Sequence, residues 1–512
     1  MGKGVVEEDP ANRVLLPSTI SGNQVLSEGI ISDILNEHFG EAVELVGIVL
    51  LRNGPLNFAD IWRICNGSFL AFPRDMLNSF NMYQHGSSEQ VVPKIVRDAL
   101  LVMIHHGLVS YDSGIYRVLP EEIVARMLFP YYLNTLLSDE NEQNMVELVL
   151  QRGRIARIEL VKIFGEQTVK NLISKRYLTI VDSISRSRTS PKKMSPKKDR
   201  IVISVNSKEM QFAFLKNLIL QHLDSSLGND LGVSVMSRLL DTCNLNTSQN
   251  FSAGDISVSE LHAQLSGDVT KNNLVGTLIQ LQSLNYVGKK TQVIEQQSGK
   301  RVRRSANTKQ ILSDDFELVS SATPSYTVKL FQVIDEMRDE TIHELIVSMY
   351  GKNGARVFEL LLSSNQKMES VHIADICAIS REDALKILHR FQTDGLCSAQ
   401  EVPKILSSGG ANSASGVSAM MRSVASAIWL YYVDKSNVRK VLVSLILHTI
   451  VNLRRRFRLE VTRQCKIEDR ATVLTEPEEA YLKKVHEAQD ILELNAIKLV
   501  PALMVLIDNI SE

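Results

Sequence analysis

Adjacent His105 and His106, the run Gly351-Lys352-Asn353-Gly354, and five cysteines are the residues whose types suit metal, phosphate or covalent chemistry. None has the spacing such chemistry needs. The histidines stand directly before Gly107, where a helix is expected to stop, and imidazolium is favoured at that negative end; they read as a helix-end pair. The Gly351 run lacks the Gly-Lys-Ser/Thr order and the preceding strand of a phosphate-binding loop. Cys65, Cys243, Cys377, Cys397 and Cys465 contain no close pair, so they read as core thiols in a reducing compartment. There is no Gly-x-Ser-x-Gly elbow, no His-Glu-x-x-His pair and no tight trio of aspartates for a polymerase's magnesium. No catalytic residue, metal site or cofactor is expected.

What remains is electrostatics. The chain of 512 residues carries 57 basic and 58 acidic side chains, a net charge of −1. The balance is an average over unlike segments: residues 185–200 carry net +6, 288–304 net +5 and 452–466 net +5, leaving −17 elsewhere. The first holds Ser-Pro-Lys-Lys twice, with Lys192, Lys193, Lys197, Lys198 and Arg200 as candidate DNA contacts. Such units resemble those of linker-histone tails. Lysines that neutralise phosphates release counterions and bind with little sequence preference. A nuclear-import signal, which does not exclude DNA contact, and a plain solvated linker are the other readings. Ser190 and Ser195 precede prolines and are candidate phosphorylation sites; each phosphate would cancel about two positive charges.

The second segment places Lys289, Lys290, Lys300, Arg301, Arg303 and Arg304 on a hairpin that either touches DNA phosphates or is a disordered loop. In the third, Arg454, Arg455, Arg456 and Arg458 flank an imperfect apolar stripe of Leu442, Leu445, Leu453, Phe457 and Val461. A stripe needs burial, so this is read as a partner-binding coiled coil rather than a DNA helix, with Leu445, Leu453, Phe457 and those four arginines as partner contacts.

The elements that must carry these segments are mostly helical. Residues 41–52 show helical apolar spacing and stop at Asn53-Gly54-Pro55. Four later segments close alike, on Leu108, Leu178, Tyr286 and Leu396, with Met103, Ile173, Leu281 and Phe391 five residues earlier. Leu100, Leu278 and Leu388 stand eight earlier, and the second copy has Lys170 there beside Val169. Gly107, Asn285 and Gly395 precede three closures, and alternating β-like residues follow. Three helices and a small hairpin, repeated four times, is the winged-helix plan.

The residues 38–61 (HFGEAVELVGIVLLRNGPLNFADI), 103–111 (MIHHGLVSY), 338–362 (RDETIHELIVSMYGKNGARVFELLL) and 400–404 (QEVPK) resemble the winged-helix subunit of RNA polymerase III. That subunit is the largest of the enzyme's specific heterotrimer and is related to the large subunit of general transcription factor IIE. The resemblance covers most of residues 27–510. It implies four winged helices followed by a coiled coil, docked on the polymerase clamp. It also implies two partners, a smaller winged-helix subunit and one with an acidic tail, and a role in promoter opening and initiation in the nucleus.

The expected fold is therefore mainly α: four tandem winged-helix domains with small β wings, then a C-terminal coiled-coil helical hairpin. A flexible N-terminus (1–26) precedes winged helix 1 (27–138, with an insertion at 66–90) and winged helix 2 (139–183). A basic linker (184–206), winged helix 3 (207–330), winged helix 4 (331–434) and the coiled coil (435–512) follow. The 66–90 insertion is either a functional loop or a lineage-specific or mis-spliced addition. Residues 407–426 lengthen the last wing, and Pro501 is expected to interrupt the coil's second helix, in which Tyr481, Val485, Ile491, Leu492, Ala496 and Leu499 would face the first.

The opening residues have no apolar core for a secretory signal, and the most apolar run, 441–453, is too short to span a bilayer, so a soluble chain is expected. Weak, sequence-tolerant binding to single- and double-stranded DNA would suit a polymerase subunit. A free-standing regulator would bind a defined duplex site, and a scaffold would bind no DNA.

Overall fold

The computed structural model describes residues 28–69, 88–182, 201–245, 251–252, 254–265, 270–290, 325–364, 366–402, 428–469 and 475–507. Two compact units emerge, one from 1–129, 152–154 and 440–496, the other from 130–151, 155–439 and 497–512.

The first unit opens with α1 (Glu28–Phe39) and α2 (Glu41–Asn53), joined at Gly40. Gly40 has φ 82°, a conformation that side chains with a Cβ disfavour. It turns the chain back on itself. Ser32 donates to the Glu44 carboxylate and the Asn36 amide donates to it at 2.5 Å. In a straight helix Ser32 and Glu44 would stand about 18 Å apart. Ile30, Ile31, Ile34 and Leu35 of α1 and Val43, Val46 and Leu50 of α2 are buried between and beneath them.

After β1 (Leu56–Asn57) come α3 (Phe58–Phe69), α4 (Ser88–His105) and the hairpin of β2 (Val109–Asp112) and β3 (Ile115–Val118). Ser113 and Gly114 close it with φ of 52° and 90°, as a two-residue turn of matching twist requires. β1 pairs with β3, giving an antiparallel sheet of order β1-β3-β2. Of the anticipated 66–90 insertion, residues 66–69 prolong α3 and 88–90 begin α4; residues 70–87 lie outside the described residues.

This order of two helices, a two-residue strand, two helices and a hairpin recurs three times. The second copy is α5 (Pro120–Leu136), α6 (Glu140–Arg152), β4 (Ile155–Ala156), α7 (Arg157–Phe164), α8 (Glu166–Ser174), β5 (Leu178–Asp182) and β6 (Ile201–Val205). The third is α9 (Ser207–Leu227), α10 (Asp230–Asp241), a small extra pair β7 (Asn244–Leu245) and β8 (Phe251–Ser252), then β9 (Ile256–Ser257). It continues with α11 (Val258–Gln264), α12 (Lys271–Ser283), β10 (Val287–Lys290) and β11 (Ser325–Val328). The fourth is α13 (Leu330–Ser364), β12 (Met368–Glu369), α14 (Ser370–Cys377), α15 (Arg381–Thr393), β13 (Ser398–Val402) and β14 (Ile428–Tyr432). In every copy the two-residue strand pairs with the hairpin's second strand. The chain is thus mainly helical with small three-stranded antiparallel sheets.

α13 bends at Gly351, with φ 71° and ψ −178°. His343 and Glu359 form an ion pair at 2.7 Å, although 16 residues of straight helix would hold them about 24 Å apart. Gly351 therefore repeats the turn made by Gly40, and the Gly351–Gly354 run is a helix reversal.

The four closing residues are all buried, Leu108 at 0%, Leu178 at 2%, Tyr286 at 2% and Leu396 at 1% exposure. Met103, Leu281 and Phe391 lie beneath them with no exposure, while Ile173 is half-buried. Where the second copy breaks the spacing, Val169 is buried and Lys170 exposed, so the helix simply registers one residue earlier.

α16 (Lys435–Glu468) and α17 (Glu476–Leu506) complete the chain. The Gln489 amide donates to Gln464 at 3.0 Å, joining the two helices. The buried side of α16 is Leu442, Ile446 and Ile450; Leu445, assigned by sequence to the apolar stripe, is 42% exposed. On α17, Val485 and Ala496 are buried, whereas Tyr481 and Ile491 are exposed. Pro501 does not interrupt this helix, which runs through it to Leu506. One missing N–H is outweighed there by burial of Val500, Leu503, Met504, Val505 and Leu506. In the second unit Tyr132 donates to the Met504 sulfur at 2.8 Å, and Arg338 Nε to the Val505 carbonyl at 3.0 Å. No described helix is long and apolar enough to cross a membrane.

Candidate nucleic-acid and partner interface

The first basic segment has a different setting from the one its composition suggests. β6 pairs with β5 over five residues, from Leu178↔Val205 to Asp182↔Ile201, and Ile203 is fully buried between β4 and β5. Residues 201–205 are therefore the central strand of the second sheet, not part of a linker running to 206. The alternating IVISV carries this signal, but the neighbouring lysines mask it in any compositional boundary. The stretch from 183 to 200, with Lys192, Lys193, Lys197, Lys198 and Arg200 and both Ser-Pro-Lys-Lys units, joins the two strands of one hairpin. Those side chains, Ser190 and Ser195 included, lie outside the described residues.

The second segment divides. Lys289 and Lys290 are exposed on β10, and Lys290 Nζ pairs with Asp255 at 2.9 Å. Lys300, Arg301, Arg303 and Arg304 lie outside the described residues, between β10 and β11, whose ladder runs from Val287↔Val328 to Lys290↔Ser325. The fourth hairpin is prolonged likewise between Val402 and Ile428. Only the first is closed by a two-residue turn.

The arginines of α16 meet carboxylates of their own chain. Arg454 donates to Glu37 at 2.9 Å and to the Met127 carbonyl at 3.0 Å, with both side chains of the pair under 20% exposed. Arg455 pairs with Asp33, and Arg458 with Glu37 at 3.6 Å. Arg456 and Arg463 both clamp the buried Glu460, at 2.7 and 2.8 Å. Leu453 and Phe457 are half-buried. Sequence reasoning missed Asp33 and Glu37, since only the fold brings α1 against α16.

Several cations on or just past α4, α8 and α15, the helices that lead into the first, second and fourth hairpins, also meet carboxylates. Arg97 pairs with Asp98 at 3.0 Å, Lys170 with Glu166 at 3.1 Å, Lys175 with the buried Glu142 at 2.7 Å and Lys386 with Asp383 at 3.6 Å. The Lys170 hydrogen bond holds the Glu166 carboxyl below the usual carboxylate range. At the histidine pair, Arg126 donates to the His106 carbonyl at 2.7 Å, capping α4, and burial lowers that guanidinium to about 10. His105 Nε2 accepts from the Arg154 backbone N–H at 3.3 Å. Burial pushes Cys65 up to about 12 and Cys243 and Cys397 to about 11, which makes them poor nucleophiles. Cys377 is buried too, while Cys465 is exposed and departs from the core-thiol expectation. Among the described residues no group of His, Cys, Asp or Glu stands close enough to hold a metal ion.

A mainly helical chain of repeated helix-and-hairpin copies, three of them with hairpins prolonged by net-basic segments, is the class of protein these observations define. No protein-family model matches it. The chain is similar to the DNA-directed RNA polymerase III subunit RPC3 of several animals. The rat protein is 21% identical over 426 residues and the human protein 22% over 431, each match covering 72% of this chain and 75% of the relative. The rpc3 subunit of the fungus Botryotinia fuckeliana is 30% identical over 79 residues, 15% of this chain and 12% of that one. The resemblance drawn from the residues is thus borne out.

Proposed function

We propose that this chain is a non-catalytic subunit of nuclear RNA polymerase III. The observation that carries the reading is the similarity to RPC3 over nearly three quarters of both chains. The fourfold order of helices and hairpin supports reading each copy as a winged helix with an added N-terminal helix, and the two long last helices as a coiled coil. On this reading the chain docks on the clamp with a smaller winged-helix subunit and an acidic-tailed subunit. It supports promoter opening and initiation by holding DNA weakly and without strong sequence preference.

The prolonged hairpins are the proposed DNA contacts, through Lys192, Lys193, Lys197, Lys198 and Arg200 in the second copy and Lys289, Lys300, Arg301, Arg303 and Arg304 in the third. Lys290 would have to leave Asp255 to take part. The α16 arginines spend their charge inside the chain, so a partner at α16 would meet exposed Leu445 and the outer edges of Arg455 and Arg456. The test is affinity purification of the tagged chain from nuclear extract, with mass spectrometry of what accompanies it. Recovery of the polymerase III core with two small partners supports the reading; recovery of neither rejects it.

A further inference from the structure

The helix that leads into each hairpin turns one face outward, and among the described residues only the second copy keeps that face free of large apolar side chains. α4 exposes Leu101 and Val102, α12 Val275 and Ile279, and α15 Leu385. The exposed residues of α8 are Glu166, Gln167, Lys170, Asn171 and Ser174, every one of them able to hydrogen-bond. Gln167, Lys170, Asn171 and Ser174 stand at i, i+3, i+4 and i+7, which puts them on one face. The Gln167 amide donates to Asn171 Oδ1 at 3.2 Å, leaving the Gln167 oxygen as an acceptor and the Asn171 amide nitrogen as a donor. Glu166, the one acid of the face, is met by Lys170 at 3.1 Å and by Arg157 of α7 at 3.6 Å.

Charge points the same way. With histidine neutral, residues 157–176 carry five basic and two acidic side chains, net +3. The matching stretch is neutral in the first copy (58–107) and −1 in both the third (258–285) and the fourth (370–395). The hairpin that follows α8 is also the one that holds the net +6 segment 185–200.

We propose that α8 enters the major groove of duplex DNA, with Gln167 and Asn171 on the edge of an adenine and Lys170 on a phosphate. The proposal rests on the polymerase reading above and says which copy meets the duplex and by which edge. In that groove adenine presents an acceptor, N7, beside a donor, the N6 amine; the donor left on Asn171 and the acceptor left on Gln167 are their complement. Lys170 shares only an exposed ion pair with Glu166, which is weak enough to yield to a phosphate. A protein partner would need an apolar anchor at the centre of the contact, and this face has none. The exposed apolar side chains of this helix pair, Ile158 and Ile163, lie on α7. One base contact adds a slight adenine preference to binding that phosphates dominate.

The full-length chain would be titrated into a labelled A·T duplex and into the same duplex built with 7-deazaadenine. That base lacks N7 and leaves the phosphates and the minor groove unchanged, so contacts from a basic loop do not register. The parent is expected to bind the second duplex about fivefold to a hundredfold more weakly, the range of one good bidentate base contact. Gln167→Ala combined with Asn171→Ala should lose a similar factor on the first duplex and nothing more on the second. It should keep the parent's salt slope, because neutral contacts release no counterions. Lys170→Ala should flatten that slope by about 0.9, whereas Lys386→Ala, a lysine similarly paired on α15, should leave slope and affinity as they are. Melting curves should coincide, since every altered side chain is exposed. Absence of duplex binding by the parent, equal affinity for the two duplexes, or an amide variant that binds as the parent does overturns the proposal. Failure of the polymerase reading shows separately, as a chain that binds in this N7-dependent way yet recovers no polymerase core from nuclear extract.

Discussion

Arg454 and Glu37 are 417 residues apart in sequence and 2.9 Å apart in the fold. Such a pair cannot be read from spacing, because nothing local to NLRRRFR announces which acid it will meet. Spacing marked the arginines as special and left their partner open. Because both members are largely shielded from solvent, Arg454→Ala would leave Glu37 with only the longer contact to Arg458 and remove a donor from the Met127 carbonyl, a loss of about 1–3 kcal/mol. Arg455→Ala removes a more exposed pair and is expected to cost under about 1 kcal/mol. Chemical denaturation of the two variants side by side checks the ranking, and equal midpoints would show that Glu37 is not held as described. The buried cysteines were more readily foreseen, since a thiol with no neighbouring cysteine, histidine or metal spacing is usually a small apolar filler.

At the level of elements, helix interiors were legible and short strands were not. Leu100, Met103 and Leu108 repeat at positions where a helix must face its core, and the same spacing found three later copies. A strand of two residues, such as Leu56–Asn57 or Met368–Glu369, is too short for alternation to register; it exists because the hairpin beside it offers an edge. The same gap misplaced β6, a five-residue strand beside a lysine-rich run. Asp182 and Ile201 are direct cross-strand partners, so residues 183–200 replaced by Asn-Gly should leave the second sheet standing, as Ser113-Gly114 does in the first. Circular dichroism and melting should then be near those of the parent chain. DNA affinity should fall, and the slope of log affinity against log salt should flatten by about 0.9 for each duplex phosphate that is no longer neutralised. An unchanged slope would remove this hairpin from the proposed DNA contacts.

Across the whole chain, the last turns of α17 return to the third repeat's core. Val505 packs in the same cluster as Ile334, Met337 and Leu215, and Arg338 binds its carbonyl. The sequence showed an apolar ending but not where it went, and its proline argued for an interruption that burial overrides. Truncation after Ala502 is expected to lower the melting temperature by roughly ten degrees or more by removing the buried Leu503, Met504, Val505 and Leu506, each worth about 1.5–3 kcal/mol when fully buried. Differential scanning calorimetry reads this directly, and an unaltered melting profile would mean these residues are ornamental.

The closure of each sheet by a two-residue strand on the hairpin's second strand has an evolutionary consequence. The hairpin's base is held from both sides, so its tip can gain or lose residues without disturbing the helices, at a closure cost that grows only slowly with length. Three tips in this chain have used that freedom and one has not. Among relatives as distant as 21% identity, length and charge should diverge fastest at these three tips, the places where a lineage can change its surface without rebuilding the molecule.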